Sequence, residues 1–328
     1  MASVDSRDSF ERLVGPYRSV QHAHCYRMLG SIDDADDALQ DALLRAWRAL
    51  PKFDGRSSLR SWLYRIATNS CLRLIERRPR RVLPIDYGPP ADAHDELAPP
   101  LTESVWLEPY PDALVADGFA APEARYEQRE SVELAFVAAL AHLPARQRAV
   151  LILREVLSFS GAEVAAQLET SADAVYTTLQ RAHKTVDRRL PERSQQATLR
   201  SLGDARLKDL VSTYIAAWEH GDVDAIVAML AEDAIVAMPP VPSWFTGISQ
   251  VHTFLERVPF APGYQRRIRL THANGQVALT TYNTPTAAGD AHHALQLLTL
   301  SDDGRIAMIT AFVGADLQPF GLPARLPG

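Results

Sequence analysis

Eight arginines between positions 56 and 81 make this segment the part of the 328-residue sequence best suited to bind a polyanion. They are Arg56, Arg60, Arg65, Arg73, Arg77, Arg78, Arg80 and Arg81, and only one acid, Glu76, lies among them. The whole chain has a formal net charge of −6. A cluster of guanidinium groups in an acidic protein therefore predicts a phosphate-facing surface on this segment.

An acidic stretch precedes the basic one. Five aspartates and no basic residue lie between Asp33 and Asp41. Charge of this sign repels nucleic acid and suits a protein partner instead. The two stretches together predict two oppositely charged faces that serve different partners.

Apolar spacing places both stretches on helices. In the acidic helix the apolar residues recur at i, i+3 and i+4, and they are Leu39, Ala42, Leu43, Ala46, Trp47 and Leu50. Ser31 or Asp33 provides its N-cap, and Pro51 ends it. A basic helix is predicted from Ser58 to Arg77, with an outer side that presents Trp62, Arg65, Asn69, Arg73 and Arg77.

An aromatic ring among cations suits single-stranded or distorted DNA, where bases stack and the backbone needs neutralising charge. Trp62 is the candidate ring, and half-buried packing is the alternative for it. The loop before this helix contains Gly55, which permits an unusual backbone, and Arg56, which offers donors beside a helix start.

A helix-turn-helix is predicted between Ser160 and Lys184. Ser160 and Glu163 fit a capping box, and Ser171 caps the second helix. A helix in the major groove needs short polar and basic side chains near its N-terminus. The residues that supply this face are Asp173, Tyr176, Thr177, Gln180, Arg181 and Lys184. The alternative is a plain helical hairpin with a solvated polar side.

The segment from residue 82 to 124 separates the two helical blocks. It contains eight prolines, nine acids and no lysine or arginine. Proline density forbids a long helix and charge of one sign resists collapse, so the prediction is an extended linker. Trp106, Leu107 and Tyr110 are unusual for a passive tether, and binding in a basic protein groove is the alternative.

The C-terminal block, residues 203–320, has the pattern of an α+β domain. Helices are predicted near 205–220, 222–231 and 248–258, followed by strands at 266–273, 276–282, 291–300 and 305–313. Asn274–Gly275 and Asp303–Gly304 are hairpin turn signals, so the sheet is predicted to be antiparallel. The candidates to line a pocket are Tyr214, Trp218, Trp244, His252, Tyr282, Gln296 and Phe312, and the alternative is that they form the core.

Little in the sequence indicates catalysis or a metal. Asp233 and His252 are the only plausible acid–base pair, and no nucleophile motif or phosphate loop accompanies them. His22 and His24 diverge by about 200° on a helix, which is wrong for shared metal ligation. Neither a metal nor a cofactor is therefore predicted. The sequence lacks an apolar run of ~18 residues and a signal-peptide core, so a cytoplasmic protein without membrane contact is expected.

These motifs together resemble a bacterial sigma factor of the extracytoplasmic-function (ECF) group, in the sigma-70 family. The region 2 helix that docks on core RNA polymerase is similar to DADDALQDALLRAW. The adjoining part, which opens and reads the −10 element, is similar to FDGRSSLRSWLYRIATNSCLRLIERRPRR. Region 4, which reads the −35 element, is similar to LPARQRAVLILREVLSFSGAEVAAQLETSADAVYTTLQRAHKTV. The C-terminal block resembles a SnoaL-like (NTF2-like) domain through YIAAWEHGDVDAIVAMLAEDAI and MPPVPSWFTGISQVHTFL.

The resemblance implies two all-α helical sigma domains, the second a helix-turn-helix, followed by a cone-shaped α+β domain. Their expected bounds are 8–80 for region 2, 82–124 for the linker, 125–192 for region 4 and 203–320 for the SnoaL-like domain. The implied partners are the β and β′ subunits of core polymerase, promoter DNA and an unknown small ligand of the last domain. The residues implied to bind polymerase are Asp34, Asp37, Gln40, Asp41, Arg45 and Trp47, and those implied to meet the −10 element include Arg60, Arg65, Asn69, Arg73, Arg77 and Arg78.

Two other functions stay open at this stage. The C-terminal block could be an isomerase or hydrolase of a small hydrophobic ligand, and the chain could be a DNA-binding regulator that works without polymerase. Within the sigma-factor hypothesis, the linker would thread the basic channels of polymerase and the C-terminal domain would regulate in cis.

Overall fold

The structure is a computed structural model, and it describes residues 2–101, 105–115, 129–261, 265–284 and 290–326, with the backbone alone for 2–7 and 290. The chain forms two compact units. The helical unit comprises Met1–Arg81 and Ala113–Pro191, and the C-terminal unit comprises Val82–Asp112 and Glu192–Gly328. No helix in the described ranges is long and apolar enough to cross a membrane.

The first half of the helical unit contains four helices, which are α1 (Ala2–Val14), α2 (Arg18–Leu29), α3 (Ile32–Ala49) and α4 (Leu59–Ile75). Ser31 and Ser58 cap α3 and α4, since each hydroxyl accepts a hydrogen bond from the amide three residues on, at 3.1 Å. Gly30 ends α2 with a φ of 73°, a left-handed conformation that favours glycine. The sequence signals for α3 and α4 are therefore confirmed to within a residue or two.

The second half contains α5 (Leu134–Ala141), α6 (Ala145–Leu151, extended by a π turn over Ile152–Val156), α7 (Gly161–Gln167) and α8 (Ala172–Val186). The capping box at Ser160 is present in full, because the Ser160 amide also donates a hydrogen bond to the Glu163 carboxylate at 2.8 Å. Ser171 caps α8. These caps set the helix-turn-helix that the sequence predicts.

Buried arginines join the two halves of the helical unit. Arg27 donates to the Ser131 carbonyl at 3.0 Å, and Arg148 donates to the carbonyls of Met28 and Ala141. Burial, with a smaller contribution from Arg80, lowers the pKa of Arg148 to about 10, so the group remains charged at neutral pH. Each cation satisfies carbonyls at helix ends or in turns that have no helical partner.

His24 makes the stability of this unit depend on pH. It is fully buried, its Nε2 lies 2.9 Å from Thr68 Oγ1, and burial followed by the charge of Arg27 lowers its pKa to about 3. The folded state therefore holds a neutral ring, whereas the unfolded state binds a proton below a pH of about 6.5. The contribution of the neutral His24 ring to stability is fully present above that pH and is lost as the pH falls toward 3.

We expect the free energy of unfolding to fall by roughly 1.4 kcal/mol for each pH unit below about 6 through His24 alone. Urea denaturation at several pH values measures this slope. His24→Gln keeps a polar group beside Thr68 but removes the titration, so its curve should be flatter by about that amount. Parallel curves for the two proteins would contradict the assignment.

The C-terminal unit is built on a seven-stranded sheet in the order β2-β1-β6-β5-β4-β3, with β7 paired to β5. The strands are β1 (Leu230–Ala237), β2 (Trp244–Thr246), β3 (Gln265–Ala273), β4 (Gln276–Thr284), β5 (Asp290–Leu300), β6 (Ile306–Val313) and β7 (Arg325–Leu326). The four predicted strands and the α+β class are confirmed. These four strands pair antiparallel, as predicted, but the sheet as a whole is mixed, because β1, which was not predicted, runs parallel to β6.

Four helices accompany the sheet: α9 (Gln195–Leu202), α10 (Asp204–His220), α11 (Val223–Ala228) and α12 (Ile248–Arg257). One face of the sheet packs against helices α10–α12 around Tyr214, Trp218 and Phe254, all 5% exposed or less. The sequence assigned residues up to 231 to a helix, whereas the helix ends at Ala228 and β1 begins two residues later. A helix and a strand in direct succession hide both periodicities.

The predicted linker is not a free tether over most of its length. Residues 82–101 and 105–112, called the strap below, belong to the C-terminal unit. The strap begins with a helical turn, Pro84–Tyr87, and its two ends pair with each other, since Leu107 donates to the Val82 carbonyl at 3.0 Å. Trp106, Leu107 and Tyr110 are buried, at 6%, 1% and 0% exposure.

The strap is held to the β3–β4 hairpin and to β2 by hydrogen bonds of its backbone, one of them to a side chain. Tyr110 donates to Asn274 Oδ1 and accepts from the Asn274 amide, each at 2.7 Å, and Ala91 donates to the Trp244 carbonyl at 2.8 Å. Burial of three large apolar side chains with paired backbone outweighs the effects of proline content and acidity. Residues 116–124 of the predicted linker lie outside the described residues.

Candidate nucleic-acid interface

Helix α8 presents its predicted reading face to the surface. Asp173, Tyr176, Thr177, Gln180, Arg181 and Lys184 are all exposed, and Tyr176 is 64% exposed. The opposite side of α8 buries Val175, Ala182 and Val186. Arg181 and Lys184 make the face cationic, while Asp173 in the first turn opposes a phosphate. This arrangement can place donors and acceptors against base edges.

The basic helix α4 has a second exposed cationic surface. Arg65 and Arg77 are exposed on α4 and just beyond its end, and Arg56 lies in the preceding loop with 89% of its side chain exposed. Arg56 forms an ion pair with Asp54 at 2.8 Å. Asn69 is half-buried. Guanidinium groups in this setting can bind phosphate oxygens along a DNA backbone.

Trp62 does not face outward, and the prediction that it does is wrong. It is 6% exposed and packs against the core around Phe10 and Leu63, with its ring 4.9 Å from that of Phe53. The residue lies at the flank of the buried stripe, where helical spacing alone does not assign a side. Burial removes Trp62 as a platform for base stacking in this structure.

Arg60 is also occupied within the protein. Its Nη2 donates to the Leu157 carbonyl at 2.6 Å, and its guanidinium lies 4.2 Å from the ring centre of Phe159. Next to it, Ser61 accepts a hydrogen bond from Gln167 at 3.1 Å. The first turn of α4 is therefore held by the α6–α7 connection and by α7, and Arg60 does not face solvent freely as the sequence predicts.

The acidic helix α3 and the basic helix α4 do not present two separate charged faces, because side chains of the two helices pair with each other. Asp41 on α3 accepts from Ser70 at 2.7 Å, from Arg73 at 3.0 Å and from Arg45 at 2.8 Å. Partial burial raises the pKa of Asp41, but these hydrogen bonds outweigh it and lower the pKa to about 2. Arg73 therefore neutralises an acid of the neighbouring helix, which sequence order alone does not reveal.

Asp34 is the clearest departure from the predicted polymerase-binding set. Its side chain is 3% exposed, and it accepts from Arg81 Nη2 at 2.7 Å and from Arg81 Nε at 3.0 Å. Arg78 completes the cluster by pairing with Asp34 and, at 3.4 Å, with Asp37. The prediction that Asp34 contacts polymerase is thus wrong for this structure, because its side chain is buried. Asp37, Gln40 and Arg45 of the same predicted set are exposed.

An open groove lined by both apolar and polar side chains lies between α1 and α3, with a volume of about 1030 Å³. Phe10 and Trp47 meet edge to face in it, at 5.1 Å between ring centres. Leu44 is 48% exposed on the same surface, beside Gln40. Leu44 is not among the residues predicted to bind polymerase, although its position next to Leu43, outside the apolar stripe, is a signal of an exposed apolar side chain.

The predicted pocket residues separate into two groups. Trp218 and Gln296 line a cavity against the sheet, and the Tyr214 hydroxyl donates to Gln296 Oε1 at 2.7 Å. The other four do not line this cavity. Trp244 donates a hydrogen bond to the Gly88 carbonyl of the strap, and Tyr282 donates one to the Pro323 carbonyl. Phe312 lies on the opposite face of its strand from Ala311 and Val313, which do line the cavity, and His252 pairs with Asp224 at 3.0 Å.

No acid–base pair forms in the C-terminal unit from the predicted actors. Asp233 is exposed on β1, and His252 faces Asp224 and Glu256 on the outer side of α12. Among the described residues, no group of three or more His, Cys, Asp or Glu side chains could hold a metal ion.

The two helical halves and the α+β unit match three family models in the predicted order. Residues 13–81 match Sigma-70 region 2, residues 133–186 match Sigma-70 region 4, and residues 211–309 match a SnoaL-like domain. The fold and the paired DNA-binding elements thus define a protein of the sigma-70 class with a fused SnoaL-like domain.

Sequence relatives narrow the class. The chain is 44% identical to the ECF RNA polymerase sigma factor SigG of Mycobacterium tuberculosis over 328 residues, covering 98% of this chain and 86% of that protein. It is 28% identical over 187 residues to SigW of Bacillus subtilis, covering 56% of this chain and 90% of that protein. The crystal structure of SigJ from M. tuberculosis shares the fold, with a TM-score of 0.59 at 21% identity, covering 96% of this chain and 99% of that one.

The chain therefore belongs to the ECF group of RNA polymerase sigma factors, which confirms the family inferred from the sequence. Its function is that of an alternative sigma factor in transcription and not that of an enzyme.

Proposed function

We propose that this chain binds core RNA polymerase in the cytoplasm and directs initiation at promoters through α4 and α8. The observation that carries the proposal is the exposed cationic and polar face of α8, set by two serine caps on a helix-turn-helix. That face matches the requirements of a major-groove reader, and the arginines of α4 supply a second phosphate-binding surface.

The polymerase-binding surface in this proposal is the groove between α1 and α3. Its lining combines apolar side chains, among them Leu44 and Trp47, with polar and charged ones, among them Gln40 and Asp36. Apolar anchors flanked by polar side chains are the usual composition of a protein interface. Asp37 and Arg45 are exposed on the same helix, α3, whereas Asp34 is buried against Arg81.

Run-off transcription with purified core polymerase tests the proposal. The full-length chain should give transcripts from selected promoters that core polymerase alone does not produce. Promoter binding that is unchanged in the absence of core polymerase, together with transcripts at the core-only level, would favour a regulator that works without polymerase.

The cationic surface of α4 should dominate the salt dependence of promoter binding. In the double variant Arg65→Ala and Arg77→Ala, the slope of log affinity against log salt should fall by roughly 1 to 2 units, at about 0.9 per lost phosphate contact. Arg78 is left in place because it pairs with buried Asp34. Arg267→Ala with Arg269→Ala, on β3, is the matched control, and equal slopes for the two double variants would contradict the assignment.

We propose further that the C-terminal unit regulates initiation in cis by holding the strap. The segment that joins the two DNA-reading halves is fixed at Asn274, whose side chain accepts from the Tyr110 amide. Asn274→Gly keeps a residue suited to the φ of 55° at that turn but removes this acceptor. A transcription profile identical to that of the unchanged protein, with the strap as resistant to protease, would count against this role.

A further inference from the structure

Helix α8 presents one acid, Asp173, on a face that is otherwise neutral or cationic. Asp173 is the only acidic residue of the helix, and it lies exposed in the first turn, near Tyr176 and Thr177. A carboxylate on a DNA-binding face is repelled by the phosphates on both sides of the groove. A specific hydrogen-bond donor in the bound DNA is therefore needed to offset this repulsion.

The fold itself does not use the Asp173 carboxylate. The N-cap of α8 is Ser171, whose hydroxyl accepts a hydrogen bond from the Ala174 amide at 3.1 Å, so the helix does not depend on Asp173 for its cap. The Thr177 hydroxyl donates to the backbone carbonyl of Asp173, at 3.0 Å, and not to its side chain. Among the residues that the structure describes, no side chain bonds to this carboxylate. Both of its oxygens are thus available to a donor from outside the chain.

The position of Asp173 on the helix suits contact with a base. A recognition helix contacts base edges with the residues of its N-terminal turns. Arg181 and Lys184 lie about 12 and 17 Å further along the axis, at 1.5 Å per residue, where cations can bind the DNA backbone. The helix therefore offers an acceptor without a donor at Asp173 and positive charge toward its other end.

Cytosine is the base whose edge matches a side chain that only accepts. In the major groove cytosine presents the N4 amino donor and no acceptor. Adenine presents its N6 donor beside the N7 acceptor, guanine presents two acceptors, and thymine presents one acceptor and a methyl group. A carboxylate placed against N7, O6 or O4 would meet a second set of lone pairs.

We propose that Asp173 selects cytosine at one position of the −35 element by accepting a hydrogen bond from its N4 amino group. This inference rests on the proposed function, because it requires that α8 reads promoter DNA. A charge-assisted hydrogen bond offsets the phosphate repulsion at the matching base only. Asp173 thus lowers the affinity for other sequences, and its main effect is on specificity.

Promoter selection by the holoenzyme tests this assignment. Core polymerase loaded with the chain is incubated with promoters randomised over the −35 element, and the bound DNA is sequenced. The unchanged chain should prefer cytosine at one position by about 10- to 100-fold over the other bases. Asp173→Ala should remove that preference alone. Asp173→Asn should shift it to adenine, because an asparagine amide pairs with N6 and N7.

Asp187→Ala is the matched control, since it also removes a negative charge. Asp187 lies just past the end of α8, with 68% of its side chain exposed. Its loss should leave every base preference unchanged. A cytosine preference that survives in Asp173→Ala, or one that is lost equally in both variants, would overturn the inference.

A cytosine analogue that lacks only the N4 amino group isolates the proposed hydrogen bond. Placed at the selected position, it should weaken binding of the holoenzyme with the unchanged chain about 10-fold more than binding with Asp173→Ala. Equal losses would contradict the contact. Promoter-dependent transcription by the unchanged chain reports on the proposed function separately. If transcripts depend on the promoter while Asp173 has no effect on base preference, the proposed function stands and this inference alone fails.

Discussion

Replacing Asp34 by alanine is expected to lower the free energy of unfolding of the helical unit by about 3–5 kcal/mol. The carboxylate is 3% exposed and Arg81, its partner at 2.7 Å, is 8% exposed. Removing the acid leaves a buried guanidinium without its compensating charge, and such a loss costs far more than a surface ion pair contributes. Denaturant-induced unfolding followed by circular dichroism measures the difference.

Asp37→Ala is the matched control, since Asp37 lies one helical turn away with 61% of its side chain exposed. Its effect should be within about 0.5 kcal/mol. A double variant, Asp34→Leu with Arg81→Met, should recover much of the lost stability because it removes both charges. Equal stability of the Asp34 and Asp37 variants would show that the buried pair does not stabilise the fold.

Replacing Leu44 by aspartate is expected to weaken binding to core RNA polymerase by roughly 30- to 1000-fold, the cost of 2–4 kcal/mol that is typical of an interface hot spot. Leu44 is 48% exposed at the groove between α1 and α3, so the substitution inserts a charge where the proposed partner surface is apolar. Competition for core polymerase against the unchanged chain gives the ratio of dissociation constants.

Leu270→Asp controls for a new charge on an exposed leucine, because Leu270 on β3 has the same exposed fraction of 48%. Its affinity for polymerase should equal that of the unchanged chain. If Leu44→Asp competes as well as Leu270→Asp, the groove is not the polymerase-binding surface.

The sequence predicts most of the fold because the signals are local. Serine caps at residues 31, 160 and 171 and the turn at Asn274 each depend on a few neighbouring residues, and all occur as expected. Strand β1 was not predicted, because it follows α11 almost without a break and its parallel partner β6 lies about 75 residues further on. Pairing over that distance leaves no local pattern.

The candidate site was less predictable than the fold, because several of its side chains make contacts with residues that are distant in the sequence. The α8 face follows from the helical repeat alone, so its six residues lie where the sequence places them. Arg60, Arg73 and Asp34 were instead assigned by charge, and charge does not reveal that Leu157, Asp41 and Arg81 approach them from distant positions. Trp62 lies at the edge of an apolar stripe, where periodicity does not separate inside from outside.

The strap also limits how far apart the two helical halves of the chain can act. The segment Val82–Asp112, 31 positions that include the strap, lies between those halves in the sequence but belongs to the C-terminal unit. Detachment would add up to roughly 100 Å of contour length to the tether, at about 3.3 Å per residue. With a longer tether, the effective concentration of one helical half near the other is lower. Binding of the second promoter element, after the first is bound, is then weaker. The spacing between promoter elements that the protein tolerates is then governed by chain entropy as well as by base contacts.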